Sequence, residues 1–280
     1  MPKKILIIYH RNCPDGFGAA WTAWKKFGKK ADYLAMEHQT PWPKISGREI
    51  YMADFCLSSP SEMKKIVAQN QKTTVIDHHP SQRKCGRLAD DYIYDQTRSG
   101  AVLAWRYFHP QKAIPKLLLY IEDVDLWKFK LPFTRELIAS LESRKFDFYL
   151  WNKIVRDFEK AKTRRKYFEE GKAILRDRRQ AIERIASYAE KVLFENYEAL
   201  SVNSPTLVSE IGNVLANKTG TLGIVWRYKK NQLEVSLRST GRIDVSKIAA
   251  KYNGGGLKAA AGFAVKLMNS KIEFPWKKIN

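Results

Sequence analysis

The chain has 280 residues, 44% of them hydrophobic, enough to bury a sizeable core and to make two domains, which excludes a disordered or fibrous protein. Fifty Lys and Arg against 29 Asp and Glu give a formal charge of +21, so polyanions are the natural partners, although scattered lysines such as Lys3-Lys4 and Lys277-Lys278 read as solubilising ones. Three cysteines, Cys13, Cys56 and Cys85, do not resemble a disulfide framework, and no apolar run reaches the length of a signal core or a membrane span, so a soluble cytoplasmic protein is expected.

The apolar run Ile5-Leu6-Ile7-Ile8-Tyr9 predicts a strand over 5–9, which leads into His10-Arg11-Asn12-Cys13-Pro14-Asp15-Gly16. A helix follows from about Gly16 to Phe27, with Trp21 and Trp24 on one buried stripe. The next strand, near 50–53, runs into Asp54. Ser58-Ser59-Pro60-Ser61-Glu62 supplies capping hydroxyls, an early proline and an acid for a helix from Pro60 to Asn70. A strand over 73–76 then delivers Asp77-His78-His79-Pro80. Behind Thr97-Arg98-Ser99 a helix covers 99–108, carrying Trp105, Tyr107 and Phe108 as core; its free amides with Arg98 suit a phosphate as well as they suit an ordinary N-cap. This alternation predicts an α/β fold, a parallel sheet with helices on both faces. From Arg135 to about Lys191 the pattern is continuously helical and strongly charged, as in Lys160-Ala161-Lys162-Thr163-Arg164-Arg165-Lys166. Interleaved acids, among them Glu159, Glu169, Glu170 and Asp177, favour a solvated, salt-bridged helix face over a nucleic-acid track. The expected domains are 1–134, a helical connector over 135–191, and a smaller α/β domain over 192–280.

A His-His pair in a loop is commonly just exposed. Here three strand ends carry ligand-type side chains, and parallel-sheet enzymes place their chemistry at strand ends. Imidazole with several carboxylates is a mixed N/O donor set that suits manganese, iron, zinc or cobalt, and carboxylates crowded into one cleft need a cation to offset their repulsion. At least one divalent ion is expected, and two fit the number of acids. Cys13 as a catalytic nucleophile would need a positioned base and an orienting group, of which the sequence gives no sign.

These residues resemble the DHH phosphoesterase superfamily, named for its Asp-His-His triplet. The second half of the chain is similar to the associated DHHA1-type domain in Val235-Ser236-Leu237-Arg238-Ser239, in Asp244-Val245-Ser246-Lys247-Ile248-Ala249, and in Gly254-Gly255-Gly256-Leu257-Lys258-Ala259-Ala260-Ala261-Gly262-Phe263. The resemblance implies metal ligands at His10, Asp15, Asp54, His78 and Asp125, with Asp123 the alternative to Asp125, and roles in orientation and catalysis for Asp77 and His79. Asp15 matches the second acid of the family's first motif, which leaves Cys13 or Asn12 where the first acid stands; a thiolate can itself ligate a soft or borderline ion. The implied cofactor is two Mn²⁺, with Mg²⁺ or Co²⁺ as alternatives. Substrate contacts are expected from Arg98, Ser99, Arg238, Ser239, Gly254, Gly255 and Gly256, the glycines offering backbone amides; the family has histidine where this chain has Leu257.

The function so implied is a metal-dependent phosphodiesterase, an exonuclease or oligoribonuclease in character, that hydrolyses short oligonucleotides or dinucleotides through metal-activated water, the second domain gripping the other end of the substrate. The alternatives are polyphosphate or pyrophosphate hydrolysis, and a non-catalytic nucleic-acid-binding protein on a degenerate scaffold. No membrane and no obligatory protein partner is expected, and a homodimer is compatible with the sequence. Trp127 is read as core packing first and cleft lining second.

Overall fold

The N-terminal apolar run forms β1 (Ile5–His10), whose side chains alternate between two cores: Ile7 enters one, Leu6 and Ile8 the other. In this computed structural model residues 2–37, 41–229, 231–266 and 273–279 are described. Two compact units divide the chain, Met1–Leu175 and Arg176–Asn280.

In the first unit β1 is followed by α1 (Pro14–Phe27), β2 (Ala31–Met36), β3 (Glu49–Ala53), α2 (Pro60–Gln69), β4 (Lys72–Asp77), a four-residue α3 (Arg83–Gly86), β5 (Asp91–Tyr94) and α4 (Gly100–Phe108). The strands form one sheet in the order β2-β1-β3-β4-β5, every pairing parallel. Sequence reading did not anticipate β2 or β5. Both are edge strands, and β5 is half-buried throughout, so neither carries the long apolar run that marks a central strand. Ile7, Tyr51 and Ile76 face a core shared with α1 and α4; Leu6, Ile8, Ile50, Met52 and Val75 face the core under α2.

The helices α5 (Lys116–Asp125), α6 (Thr134–Glu142) and α7 (Phe148–Glu159) complete the first core through Leu117, Leu118, Leu137, Leu141, Trp151 and Phe158. The segment expected to be continuously helical from Arg135 is therefore interrupted. Asp147 caps α7, its carboxylate accepting from Leu150 N at 2.8 Å, and α8 (Ala161–Ser187) starts only after a break at Lys160. The boundary between the units falls within α8.

The second unit continues with β6 (Glu190–Phe194), β7 (Tyr197–Asn203), α9 (Val208–Thr219), β8 (Leu222–Lys229), β9 (Gln232–Ser239), α10 (Val245–Lys251), β10 (Gly255–Leu257), β11 (Ala260–Lys266) and β12 (Lys277–Lys278). Its sheet runs β10-β11-β9-β8-β7-β6-β12, antiparallel except for β7 with β8. Along β9 the residues alternate: Leu233, Val235 and Leu237 join Val245, Ile248 and Ala249 of α10 in one core. Ile211 and Leu215 of α9 pack with Val202 and Val225 in another. Among the described residues no helix is long and apolar enough to cross a membrane.

Trp151 is fully buried and meets Phe17 and Phe146 edge-on, with centroids 4.9 and 5.9 Å away. Trp151→Ala should cost about 3–5 kcal/mol of unfolding free energy by cavity formation, read from the urea midpoint at unchanged m-value; a loss below about 1 kcal/mol would contradict this account of the core.

Candidate metal centre

The strand order reverses between β1 and β3: from β1 the chain crosses to β2 on one side, while β3, β4 and β5 extend to the other. Open α/β sheets bind ligands at the carboxyl ends of strands flanking such a reversal, because the diverging connections leave a crevice there. His10 ends β1, Asp54 follows β3, and Asp77 ends β4, on three adjacent strands.

Asp54 is held in a left-handed backbone conformation, φ +54°, with its N–H donated to Ile76 O at 2.9 Å. That region costs a β-substituted residue about 1–3 kcal/mol, a strain that recurs at functional sites. The start of α4 lies directly against this carboxylate: a Cβ on Gly100 would stand 2.5 Å from Asp54 Cβ and 2.6 Å from its Oδ1. Gly16 likewise lets α1 turn back over the end of β1, since a Cβ there would approach His10 Cβ to 2.9 Å.

Asp15 lies in the first turn of α1, behind Pro14, and its carboxylate accepts from Gly100 N (2.7 Å) and Ala101 N (3.1 Å) of α4. This corrects the expectation of a phosphate at that helix start. The anion at α4 is the chain's own Asp15; Ser99 N goes to Glu122 Oε2 at 3.1 Å, and Val102 N goes to Ser99 Oγ. Arg98 is engaged too, its Nε 2.8 Å from Glu122 Oε2. Ser99 is a buried N-cap, and the Arg98 side chain, paired with Glu122, is 22% exposed.

Asp77 Oδ1 accepts from His78 N (2.8 Å) and His79 N (3.3 Å) and lies 2.7 Å from His79 Nδ1. One fully buried carboxylate thereby sets the turn that brings all three residues of the triplet into the site. His78 Nε2 sits 3.3 Å from Asp54 Oδ1, 3.4 Å from Asp125 Oδ2 and 3.9 Å from Asp15 Oδ2. Yet Asp54 Oδ1, Asp77 Oδ2 and His78 Nε2 are all buried without a hydrogen-bond partner. Orphaned buried acceptors are costly, and several from different elements converging here are what a cation would satisfy.

The electrostatics agree. Burial pushes the Asp54 carboxyl well above the usual carboxylate range, and the charges of Asp15, Asp125 and Asp77 push it further. Asp125 is raised to about 7, first by burial and then by Asp15, while His78 and His79 pull the other way. Burial, then Asp54 and Asp15, push the Cys13 thiol up. The donor atoms gather into three sets whose members lie within 4.8 Å of one another: Asp54 with Asp77, His78 and His79; Asp15 with His78 and Asp125; and His10 with Cys13 and Asp54. An N/O-rich set with excess negative charge fits one or more divalent cations.

Asp123 does not share the cluster. It accepts from Lys130 N (2.8 Å), Leu131 N (3.1 Å) and Thr134 Oγ1 (2.7 Å), and these bonds outweigh burial to hold its carboxyl below the usual range. Asp125, two residues on, is the acid that reaches His78. Just beyond it Trp127 has a left-handed backbone, φ 55°, is 77% exposed as a residue, and its ring lies edge-on to Phe129 at 4.9 Å. Core packing of Trp127 is thereby excluded.

In the second unit, the Arg238 guanidinium donates to Ser236 Oγ (3.0 Å), Leu237 O (2.9 Å) and Ser209 Oγ (2.7 Å), all neutral oxygens, and burial pulls its pKa down. Ser239 faces the opposite side of β9 and is spent on the following turn, donating to Ile243 O and accepting from Gly241 N. The glycine triplet is no flexible turn: Gly255 and Gly256 enter β10, paired with Gly262 and Ala261 of β11. A side chain at Gly254 or Gly256 would collide with β11, so those two are required by sheet packing, and only Gly255 has open space. Leu257 is 77% exposed. Sequence reading missed Glu122, the buried acid that takes both Arg98 and Ser99; an isolated Glu inside an apolar helix, in Leu119-Tyr120-Ile121-Glu122, was the available signal.

A raised carboxyl pKa binds its proton more tightly in the folded state than in the unfolded chain, where aspartate titrates at about 3.9. The contribution of Asp125 to the stability of the metal-free protein should therefore be fully present below about 3.9 and be lost as pH rises toward its folded value of about 7. Urea unfolding in chelator across that window should show a shallower decline for Asp125→Asn; parallel profiles for the two proteins would refute the assignment.

No family model matches the chain. It is 33% identical over 295 residues to uncharacterized protein R106 of Acanthamoeba polyphaga mimivirus, covering 96% of this chain and 69% of that one. Among solved structures it is similar to a pGpG-specific phosphodiesterase, PggH, from Vibrio cholerae (15% identity, 95% of this chain and 94% of that one, TM-score 0.54). An exopolyphosphatase-related protein from Bacteroides fragilis is similar as well (15% identity, 96% and 88%, TM-score 0.53). So is a DHH domain from a member of a family of ribosomal proteins (12% identity, 99% and 83%, TM-score 0.57). The chain therefore belongs to the same family as R106 of the mimivirus, and it shares its fold with a DHH domain, with Asp77-His78-His79 at the end of β4.

Proposed function

We propose that the protein is a metal-dependent phosphodiesterase that cleaves short oligonucleotides or dinucleotides. The observation that carries the hydrolytic reading is the convergence of Asp54 Oδ1, Asp77 Oδ2 and His78 Nε2, buried and unbonded, beside Asp15 and Asp125. Asp15, Asp54, His78 and Asp125, with His10, would hold divalent cations, and Asp54, common to two of the donor sets, would be shared between them. Such ions lower the pKa of bound water and offset charge on a phosphoryl group. Asp77 orients the His79 ring by its contact to Nδ1, which turns Nε2 away from the buried carboxylate. His79, with its side chain 44% exposed, is then placed to exchange a proton with a leaving oxygen. No side-chain nucleophile is needed.

The fold alone does not choose the substrate, since a pGpG phosphodiesterase and an exopolyphosphatase-related protein share it. Trp127 favours a nucleotide: an exposed indole two residues from Asp125 offers a stacking face that an inorganic chain cannot use. Arg238, bonded only to neutral oxygens, is the anchor we assign to a substrate phosphate, and the net charge of +21 suits a polyanion. Three free cysteines suit a reducing compartment, so we assign the activity to the cytoplasm.

The test is hydrolysis of 5′-labelled di- to decaribonucleotides with added divalent metal, against chelator and inorganic polyphosphate controls. Release of mononucleotides that chelator abolishes and that His78→Ala lowers at least about 10³-fold is expected, at unchanged circular dichroism. Phosphate release from polyphosphate alone would move the assignment to a polyphosphatase, and retention of oligonucleotides without cleavage would favour a binding protein. Trp127→Ala should raise KM for oligonucleotides about tenfold, the loss of one stacking contact; an equal rise for polyphosphate would remove the stacking role.

A further inference from the structure

The trio His10, Cys13 and Asp54 differs from the rest of the centre in containing sulfur. Cys13 precedes α1 as its N-cap, with φ −122° and ψ 129°, but its side chain makes no capping hydrogen bond. Ser, Thr, Asp and Asn are favoured at that position because their oxygens take up the helix's free amides; sulfur is a poorer acceptor for the Asp15 and Gly16 amides that face Cys13, so capping alone gives little reason for cysteine there. Cys13 is partly exposed, whereas Cys56 and Cys85 are buried in the core beneath α2. A cysteine alone would carry little. Here Asp54, only 3% exposed, presents an unbonded Oδ1, and a donor atom of each of the three residues lies within 4.8 Å of the others.

We propose that Cys13 is a sulfur ligand to a divalent cation shared with His10 and Asp54, and that this position selects a borderline, thiophilic ion of the Zn²⁺, Co²⁺ or Fe²⁺ class over Mg²⁺ and Mn²⁺. The inference rests on the metal-centre reading above and revises the manganese expectation for this one position. Tetrahedral Zn²⁺ needs donors about 3.4–3.7 Å apart, given metal–ligand distances of about 2.0–2.3 Å, so side-chain rotations of roughly 1 Å would close the trio. On binding, the metal–sulfur bond replaces the S–H bond and the proton passes to solvent; no electron is transferred. Hard, oxygen-seeking ions gain little from sulfur, while borderline ions gain affinity, so one cysteine changes which metal fills the position.

The probe is Co²⁺, titrated anaerobically into the reduced, metal-free, full-length protein and followed by near-ultraviolet thiolate-to-cobalt charge-transfer absorption. One such band per chain is expected, absent in Cys13→Ser and retained in Cys56→Ser and Cys85→Ser. Competition should show wild type preferring Co²⁺ to Mn²⁺ by about 100-fold or more, and Cys13→Asp narrowing that preference to about tenfold or less. Saturating Co²⁺ without the band, a band that survives in Cys13→Ser, or Mn²⁺ competing equally in wild type would overturn the proposal. Circular dichroism of each variant separates loss of ligand from loss of fold. Oligonucleotide hydrolysis with Mn²⁺ but no sulfur band would sink this inference and leave the function standing; the band without hydrolysis would do the reverse.

Discussion

Three buried carboxylates, Asp15, Asp54 and Asp77, and a fourth at the edge of the site, Asp125, repel one another, and that repulsion is the constraint around which the first unit is arranged. Asp54 stands at its middle, with Asp15, Asp77 and Asp125 all raising the cost of its charge. The chain accepts further local costs to keep it there: a left-handed backbone at Asp54, and a helix start so close that position 100 admits only glycine. A fold selected for stability alone would separate these groups or replace them with apolar ones. Their retention in a crevice at a sheet's topological reversal makes sense when a cation neutralises them.

The protein deals with its acids in two ways, and the difference separates scaffold from site. Asp15 is held by two amides of α4, Asp77 by the backbone and ring of its own triplet, and Glu122 by Arg98 and Ser99. Asp123 is occupied by two amides of the loop that follows α5 and by the Thr134 hydroxyl at the start of α6. What remains buried and unbonded at the centre, among the described residues, is narrow: one oxygen of Asp54, one of Asp77 and one nitrogen of His78. Carboxylates held from behind by amides keep their geometry when the charge in front of them changes, which is how a binding centre stays organised.

Much of this was legible in the sequence because strand ends carry their function in short, contiguous motifs. Ile5 to Tyr9, Ile50 to Ala53 and Val75-Ile76 announced three central strands by apolar content, and the acids and histidines that follow them are the ones that converge. The edge strands β2 and β5 were hidden, since half-buried edges do not need a continuous apolar run. The breaks among α6, α7 and α8 were hidden for another reason. Charge and helix propensity persist through Lys160, while the termination depends on tertiary packing of Trp151 and Phe158. Arg98 and Ser99 looked like phosphate ligands because helix starts bind anions, and they do; the partner is an internal acid that only the fold brings near. Strand alternation, which puts Ser239 on the opposite side of β9 from Arg238 and toward its own turn, is legible only once the strand's register is known.

The most direct test of the central claim is the position of the cation itself. Crystals grown with Mn²⁺ or Co²⁺ and measured at the metal's absorption edge should give anomalous peaks within coordination distance of Asp54, with Asp15, His78 and Asp125 as further ligands. An ordered protein with no anomalous density there at saturating metal, or with density only at other residues, would contradict the account.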